Sequence, residues 1–327
     1  MLLILGMGTL SSCLLQSTIE ACNDMTLQEV KAQNDVSDNC RAAVVSLLER
    51  TQDNFRGRVI SMGNRVGAGN QPTVYFHAVK NDGTTLTAAE IASNLSVKVT
   101  ISGIQSTLPA SQYTVTPLSG SAESLLSVSM VSDYSGSMRD RDIDTVSEIY
   151  TEIFQALPTI YEAEHLIFSH RVVEKQAFTS TPATVLASVL RDSSIDRSST
   201  ALYDGMGTGV THLIARSLPM RVLILSSDGL ENASSQYTKS QLRALVSDNK
   251  IVVIAIGALF SDIGVLKDLA GSRGVFFWGQ DFVNTRDAIT RYAQSLKELV
   301  KVELNSAYQS ASQVTITTNG LESSFSF

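Results

Sequence analysis

The sequence predicts an α/β protein: a doubly wound, mainly parallel sheet with one antiparallel edge strand, joined to a smaller β-sandwich and preceded by a helical segment. Three observations predict it. From about residue 122 onwards, near-continuous apolar runs such as Arg221 to Ser226 and Ile251 to Ile256 alternate with stretches of helical period. Strands that are apolar on both faces belong to parallel sheets covered by helices. Residues 57 to 121 instead alternate with period two, Val74, Phe76 and Ala78 being set against Tyr75 and His77, which implies sheets with one buried and one wetter face. Finally, an alternating run returns at Val314 and Ile316. A lone strand is not stable by itself, so the tail over 304–327 is expected to pair with the sandwich and make it discontinuous.

Met1 to Leu10 is nearly all apolar and runs into Leu10-Ser11-Ser12-Cys13. This resembles a bacterial lipoprotein signal, in which residues 1–12 would be removed and Cys13 lipidated, anchoring the protein in the cell envelope. Another secretory leader, giving a secreted protein, and an ordinary buried helix are the alternative readings. With Cys13 lipidated, Cys22 and Cys40 are left as an even pair. A disulfide between them would close a loop of about 18 residues, worth about 3 kcal/mol in the chain-entropy model. Equally, Cys40 reads as a small core residue on the apolar face formed with Val36, Ala43, Val44, Leu47 and Leu48, within a helical segment over 13–56.

Gly63 to Asn70 reads as a linker. The sandwich over 57–121 then offers strands at Val74 to Ala78, Leu95 to Ile101 and around Tyr113 and Val115, with Asn81-Asp82-Gly83 as a turn. The α/β domain over 122–303 opens with a strand from Leu125 to Ser132 that carries Ser127, Ser129 and Ser132. Ile143, Val146, Ile149, Tyr150, Ile153, Phe154 and Leu157 form one stripe of a long helix ended by Pro158. His165 to Ser169 and Val172 to Phe178 are close enough to be a hairpin, which supplies the antiparallel edge. Helices at Leu202 to Leu218, Gln241 to Val246, Ile263 to Ala270 and Thr285 to Val302 alternate with strands at Arg221 to Ser226, Ile251 to Ile256 and Val275 to Trp278.

The chain has 327 residues, is 43% apolar and carries a formal charge of −7. That balance argues against nucleic acid, which needs a basic face. No apolar run reaches the roughly 18–20 residues that span a bilayer, so contact with a membrane is expected only through a lipid at Cys13.

Asp133, Ser135 and Ser137, then Thr200, then Asp228 are the candidate chemistry. Two carboxylates and three hydroxyls make an all-oxygen set of low charge, suited to a hard cation, Mg2+ first with Mn2+ or Ca2+ as alternatives. Each lies where a strand hands over to a loop or helix, and ligands of open α/β sheets bind outside the carboxyl ends of the strands. Gly136 lets the backbone approach closely. A serine-rich turn capped by Asp133 or Ser135 is the plainer reading of the first three alone.

These residues, with Ser135-Gly136-Ser137-Met138, Thr200-Ala201-Leu202-Tyr203-Asp204 and Ser227-Asp228-Gly229 around them, resemble the von Willebrand factor type A (VWA) family, the Rossmann-like fold of integrin I domains. Its metal-ion-dependent adhesion site (MIDAS) has the form Asp-x-Ser-x-Ser, then Thr, then Asp. The resemblance covers roughly 122–303, and the preceding sandwich is similar to modules that accompany bacterial members. It implies that Ser135, Ser137 and Thr200 bind metal directly and that Asp133 and Asp228 act largely through water. A Glu or Asp of a protein partner would complete the coordination.

Other candidates carry less. Asp140, Asp142 and Asp144 read as acids complementing the start of a helix. His77, His165, His170 and His212 lack zinc-ligand spacing. Ser135 is not in a Gly-x-Ser-x-Gly elbow, and there is no Gly-rich phosphate loop. Trp278 with Phe276 and Phe277 reads as core or edge filling. Asn94-Leu95-Ser96 and Asn232-Ala233-Ser234 match the glycosylation acceptor. The expected function is therefore non-enzymatic: a metal-dependent adhesion or protein-binding module of the cell envelope. The alternative is a scaffold or regulatory subunit with a structural metal.

Overall fold

Strand β7, Ser124–Asp133, is the axis of the fold. In the computed structural model, which describes residues 52–327 apart from 67–70, 120, 122–123, 158–159, 191–194, 229, 259–260 and 280, it lies in the interior of a seven-stranded sheet. On one side it pairs in parallel with β8, Ile160–Phe168, which pairs antiparallel with β9, Val172–Thr179. On the other it pairs in parallel with β10, Met220–Ser227, followed by β11, Val252–Gly257, and β12, Val275–Trp278. Counting from β7, the order of six of the strands is 3-2-1-4-5-6, with a seventh strand beyond β12, and the direction of winding reverses between the parallel strands β7 and β10. That reversal opens a crevice at the carboxyl ends of the two strands. Cys13, Cys22, Cys40 and the expected N-terminal helical segment up to residue 51 lie outside the described residues.

Two further sheets, each of four strands, form the sandwich. One runs β2 (Arg58–Val66), β3 (Pro72–Val79), β13 (Val300–Leu304), β6 (Tyr113–Pro117). The other runs β15 (Leu321–Ser326), β14 (Gln313–Thr318), β4 (Leu95–Ile101), β5 (Ile104–Thr107). Val74, Phe76 and Ala78 meet Val97, Val99, Val314, Ile316 and Phe325 in the core between them. Both ends of this chain segment thus build one sandwich, with the α/β sheet inserted between β6 and β13.

Four local readings are corrected. Gln52–Asp53, expected to be helical, is strand β1, which pairs antiparallel with β12. The large sheet therefore has two antiparallel edges, and Phe55 inserts beside Phe277 and Tyr292 at ring distances of 5.6 and 5.8 Å. The expected linker begins inside β2. Gly63 serves a close approach, since a Cβ there would sit 2.7 Å from the Pro219 carbonyl oxygen. The last helix is Phe282–Leu296, and Val300–Leu304 leaves it to become a central sandwich strand, so the inserted sheet ends before 303. Apolar residues at 296, 299, 300 and 302 satisfy both periods, and pairing with β3 and β6 selects the strand. Lastly, the face of β3 expected to be wetter is buried: Tyr75 and His77 are fully covered, and His77 packs edge-on against Tyr292 at 5.4 Å.

The helices complete the layers. They are α1 (Ala88–Ser93), α2 (Asp140–Ala156), α3 (Pro182–Ala187), α4 (Leu202–Ile214), α5 (Lys239–Asp248), α6 (Ile263–Ala270) and α7 (Phe282–Leu296). The apolar stripe of α2 is buried from Ile143 to Phe154, as its spacing predicts.

The serines of β7 are paired rather than solvated. Ser127 and Ser129 Oγ donate to Glu162 and Glu164 of β8 at 2.7 and 2.6 Å, one rung apart. Ser132, on the opposite face, meets Tyr150 OH and His165 Nε2, both at 3.0 Å, and Tyr150 OH continues to Ser226 of β10 at 2.9 Å. A buried hydroxyl costs little once its partner is in place.

His77 and His165 are both driven down to about pKa 3, burial being the main cause. The unfolded chain gains these protons near pH 6.5, whereas the folded chain gains them only near 3. Their contribution is therefore complete above pH 6.5 and is lost as the pH falls through that window. Both ring nitrogens of His77 lack a hydrogen-bond partner among the described residues, so an apolar replacement removes its proton-linked cost. Urea unfolding of His77→Leu is expected to lose less stability than the parent between about pH 7.5 and about pH 5. Parallel pH slopes in the two proteins would contradict this assignment.

Candidate metal centre

Asp133 ends β7 and is completely buried. Its Oδ1 accepts from the Ser135 N–H at 2.7 Å, which closes the turn locally, and its Oδ2 accepts from Ser227 Oγ, at the end of β10, at 2.6 Å. The turn brings Ser135 Oγ to 3.1 Å from Ser137 Oγ, and Ser137 Oγ donates to Asp228 Oδ1 at 2.7 Å. Hydrogen bonds thus join Asp133, Ser135, Ser137 and Asp228 around the crevice.

Thr200 arrives differently. It is buried and is held through its backbone: its N–H donates to Asn232 Oδ1 at 2.9 Å, and its carbonyl accepts from the Asn232 N–H at 3.1 Å. The segment leading to it lies against the serine turn, where Arg197 Nε donates to the Ser135 carbonyl at 3.3 Å. A Cβ on Gly136 would stand 2.6 Å from the Arg197 carbonyl oxygen, so glycine is required by close approach.

Sequence reasoning missed the residues that hold these loops. Ser227 was visible only as the neighbour of Asp228. The Asn232-Ala233-Ser234 triplet, which matches a glycosylation acceptor, is an internal clamp: Asn232 grips Thr200, and Ser234 Oγ accepts from the Asp204 N–H at 3.0 Å. Glu231 accepts from the Tyr203 N–H at the start of α4. In return the Asp204 carboxylate accepts from the backbone of Ser235, Gln236 and Tyr237 at 2.9–3.0 Å. Asp142 closes a capping box with Arg139, as expected for an acid in a first helical turn. His165 bridges Ser132 and Ser188. Trp278 is buried and donates to the Ser261 carbonyl. His212, without zinc spacing in the sequence, stands beside Glu164 and Glu174 from β8 and β9.

The electrostatics favour a cation. Burial pushes the Asp228 carboxyl up to about 7; the hydrogen bond from Ser137 opposes this, while the charges of Asp133 and Asp142 add to it. Burial likewise raises Asp133, against the hydrogen bonds from Ser135 and Ser227. Two buried carboxylates and two adjacent hydroxyls, with no ion pair to either acid among the described residues, fit a hard dication held by oxygen.

No protein-family profile matches the chain, and no curated protein matches it. Among solved structures it is similar to proximal thread matrix protein 1 from the mussel byssus, solved with a zinc-occupied MIDAS motif. That likeness is 16% identity and TM-score 0.49 over 58% of this chain and 49% of that one. It is also similar to a von Willebrand factor type A protein from Catenulispora acidiphila, at 11% identity and TM-score 0.43 over 76% of this chain and 49% of that one. A third is BatB from Bacteroides thetaiotaomicron, at 13% identity and TM-score 0.43 over 53% of this chain and 99% of that one. The chain thus spans about half the length of the mussel and Catenulispora proteins. At these identities and scores the likenesses assign neither ligand nor partner.

Asp204→Ala tests the clamp. It leaves three backbone N–H groups without their acceptor, and is expected to cost about 2–4 kcal/mol. It should also weaken Mn2+ binding by titration calorimetry, although Asp204 is outside the five-residue set. Unchanged stability and metal affinity would remove Asp204 from the support of the site.

Proposed function

We propose that the chain is a non-enzymatic, metal-dependent protein-binding module of VWA type. The cation, Mg2+ in the first instance, would be held by Ser135, Ser137 and Thr200, with Asp133 and Asp228 supplying most of the charge. When bound, it supplies an electrophilic point for a Glu or Asp of a partner protein. The observation that carries the reading is the convergence of Asp133, Ser135, Ser137 and Asp228 at the carboxyl ends of β7 and β10, where the strand order reverses.

The chain's own residues then have separable tasks. Ser227 and the Ser135 N–H orient Asp133. Asn232 sets the depth of Thr200. Leu230, two residues after Asp228, is among the large apolar side chains left exposed, at 53%. It would give a partner apolar contact beside its acid.

Asp133→Ala is expected to abolish Mg2+ and Mn2+ binding measured by calorimetry. In the native cell it should also abolish Mg2+-dependent crosslinking to partners identified by mass spectrometry, as excess EDTA should in the parent protein. A partner captured equally by the parent in EDTA and by Asp133→Ala would overturn the proposal.

A further inference from the structure

The geometry points to a second divalent-cation site, of the zinc class, on the flank of the large sheet, formed by Glu164 of β8, Glu174 of β9 and His212 of α4. One donor atom from each lies within 4.8 Å of the others: two carboxylate oxygens and an imidazole nitrogen. Imidazole with carboxylate is a donor set for a borderline cation such as Zn2+, and two carboxylates balance its charge.

The site is built rather than incidental to the surface. Glu164 is fully buried. Its Oε1 accepts from Ser129 Oγ at 2.6 Å, and its Oε2 lies 2.7 Å from His212 Nδ1. A hydroxyl behind a carboxylate is the kind of outer partner that fixes a ligand's orientation, and it gives a reason for a serine in the middle of the central strand. All three donors stand on regular elements, which hold geometry better than loops do. His212 is 37% exposed, so solvent reaches the cluster.

Charge balance separates this rung of the sheet from the next. Glu162 takes Arg216 in a two-pronged pair, which leaves that guanidinium occupied. Glu174 has no ion pair among the described residues, and its carboxylate stands with that of Glu164 beside His212. Two carboxylates therefore stand around one imidazole, and a dication satisfies all three. The cluster lies level with Ser129, four residues before Asp133, and so is distinct from the centre at the strand ends.

The test uses the tag-free full chain, stripped with chelator and titrated with Zn2+, and with Co2+ as a spectroscopic substitute. In an Asp133→Ala background, where the first centre is disabled, one equivalent of Zn2+ is still expected, with visible Co2+ bands. Adding Glu174→Gln and His212→Gln is expected to weaken that binding by about tenfold or more and to remove the bands. Both added positions reach solvent, and circular dichroism checks the fold. Should Asp133→Ala itself fail to fold, Asp228→Asn provides the background. No Zn2+ uptake in the first variant, or equal uptake after the added changes, would overturn the site.

Discussion

The hydrogen bond from Ser227 to Asp133 ties together the ends of β7 and β10, and the candidate centre depends on it. The two residues are 94 apart in the chain, and their strands are neighbours because the winding of the sheet reverses between them. A parallel register that places Ser132 opposite Ser226 brings Asp133 level with Ser227 and leaves Asp228 just beyond the edge. Slipping the register by one residue would turn every side chain of the strand to the other face. The buried packing of Val128, Met130, Val222 and Ile224 therefore also fixes where the oxygens meet.

That register has a polar component. Tyr150 of α2 bridges Ser132 and Ser226 on one face, while Ser127 and Ser129 pair with Glu162 and Glu164 on the other. Leaving one of these carboxylates without its donor would cost about 1–3 kcal/mol or more, so the hydroxyls report rung alignment more strictly than interchangeable aliphatic contacts can. The central strand is polar because its neighbours carry the matching groups.

The sandwich and the large sheet share covering elements. β3 is buried on both faces, one toward β4 and β14 and the other toward α7, where His77 meets Tyr292. The chain leaves the sandwich after β6 and returns at β13, placed between β3 and β6. Forming that four-stranded sheet requires the inserted sheet to have delivered residues 300–304 to the right place. The two halves are thus coupled through a strand order that neither end of the segment can build alone.

By itself the sequence determined the character of most elements and the identity of the candidate ligands. Local periodicity reports burial, so the apolar runs of β10 and β11, the stripe of α2 and the hairpin edge at β9 were legible. Asp133, Ser135, Ser137 and Asp228 stood out as candidates because strand-end turns have their own residue chemistry, whereas Thr200 precedes α4 and is separated from the end of β9 by α3. Tertiary structure alone decided the rest. Val300–Leu304 is a strand because β3 and β6 flank it, and His77 is buried because α7 lies across it. Asn232 is a clamp because Thr200 comes to it from 32 residues away. His212 finds Glu164 across 48 residues of sequence. Hydrogen bonds and burial between distant segments leave no periodic trace in either segment, so they exist only once the sheet has set its order.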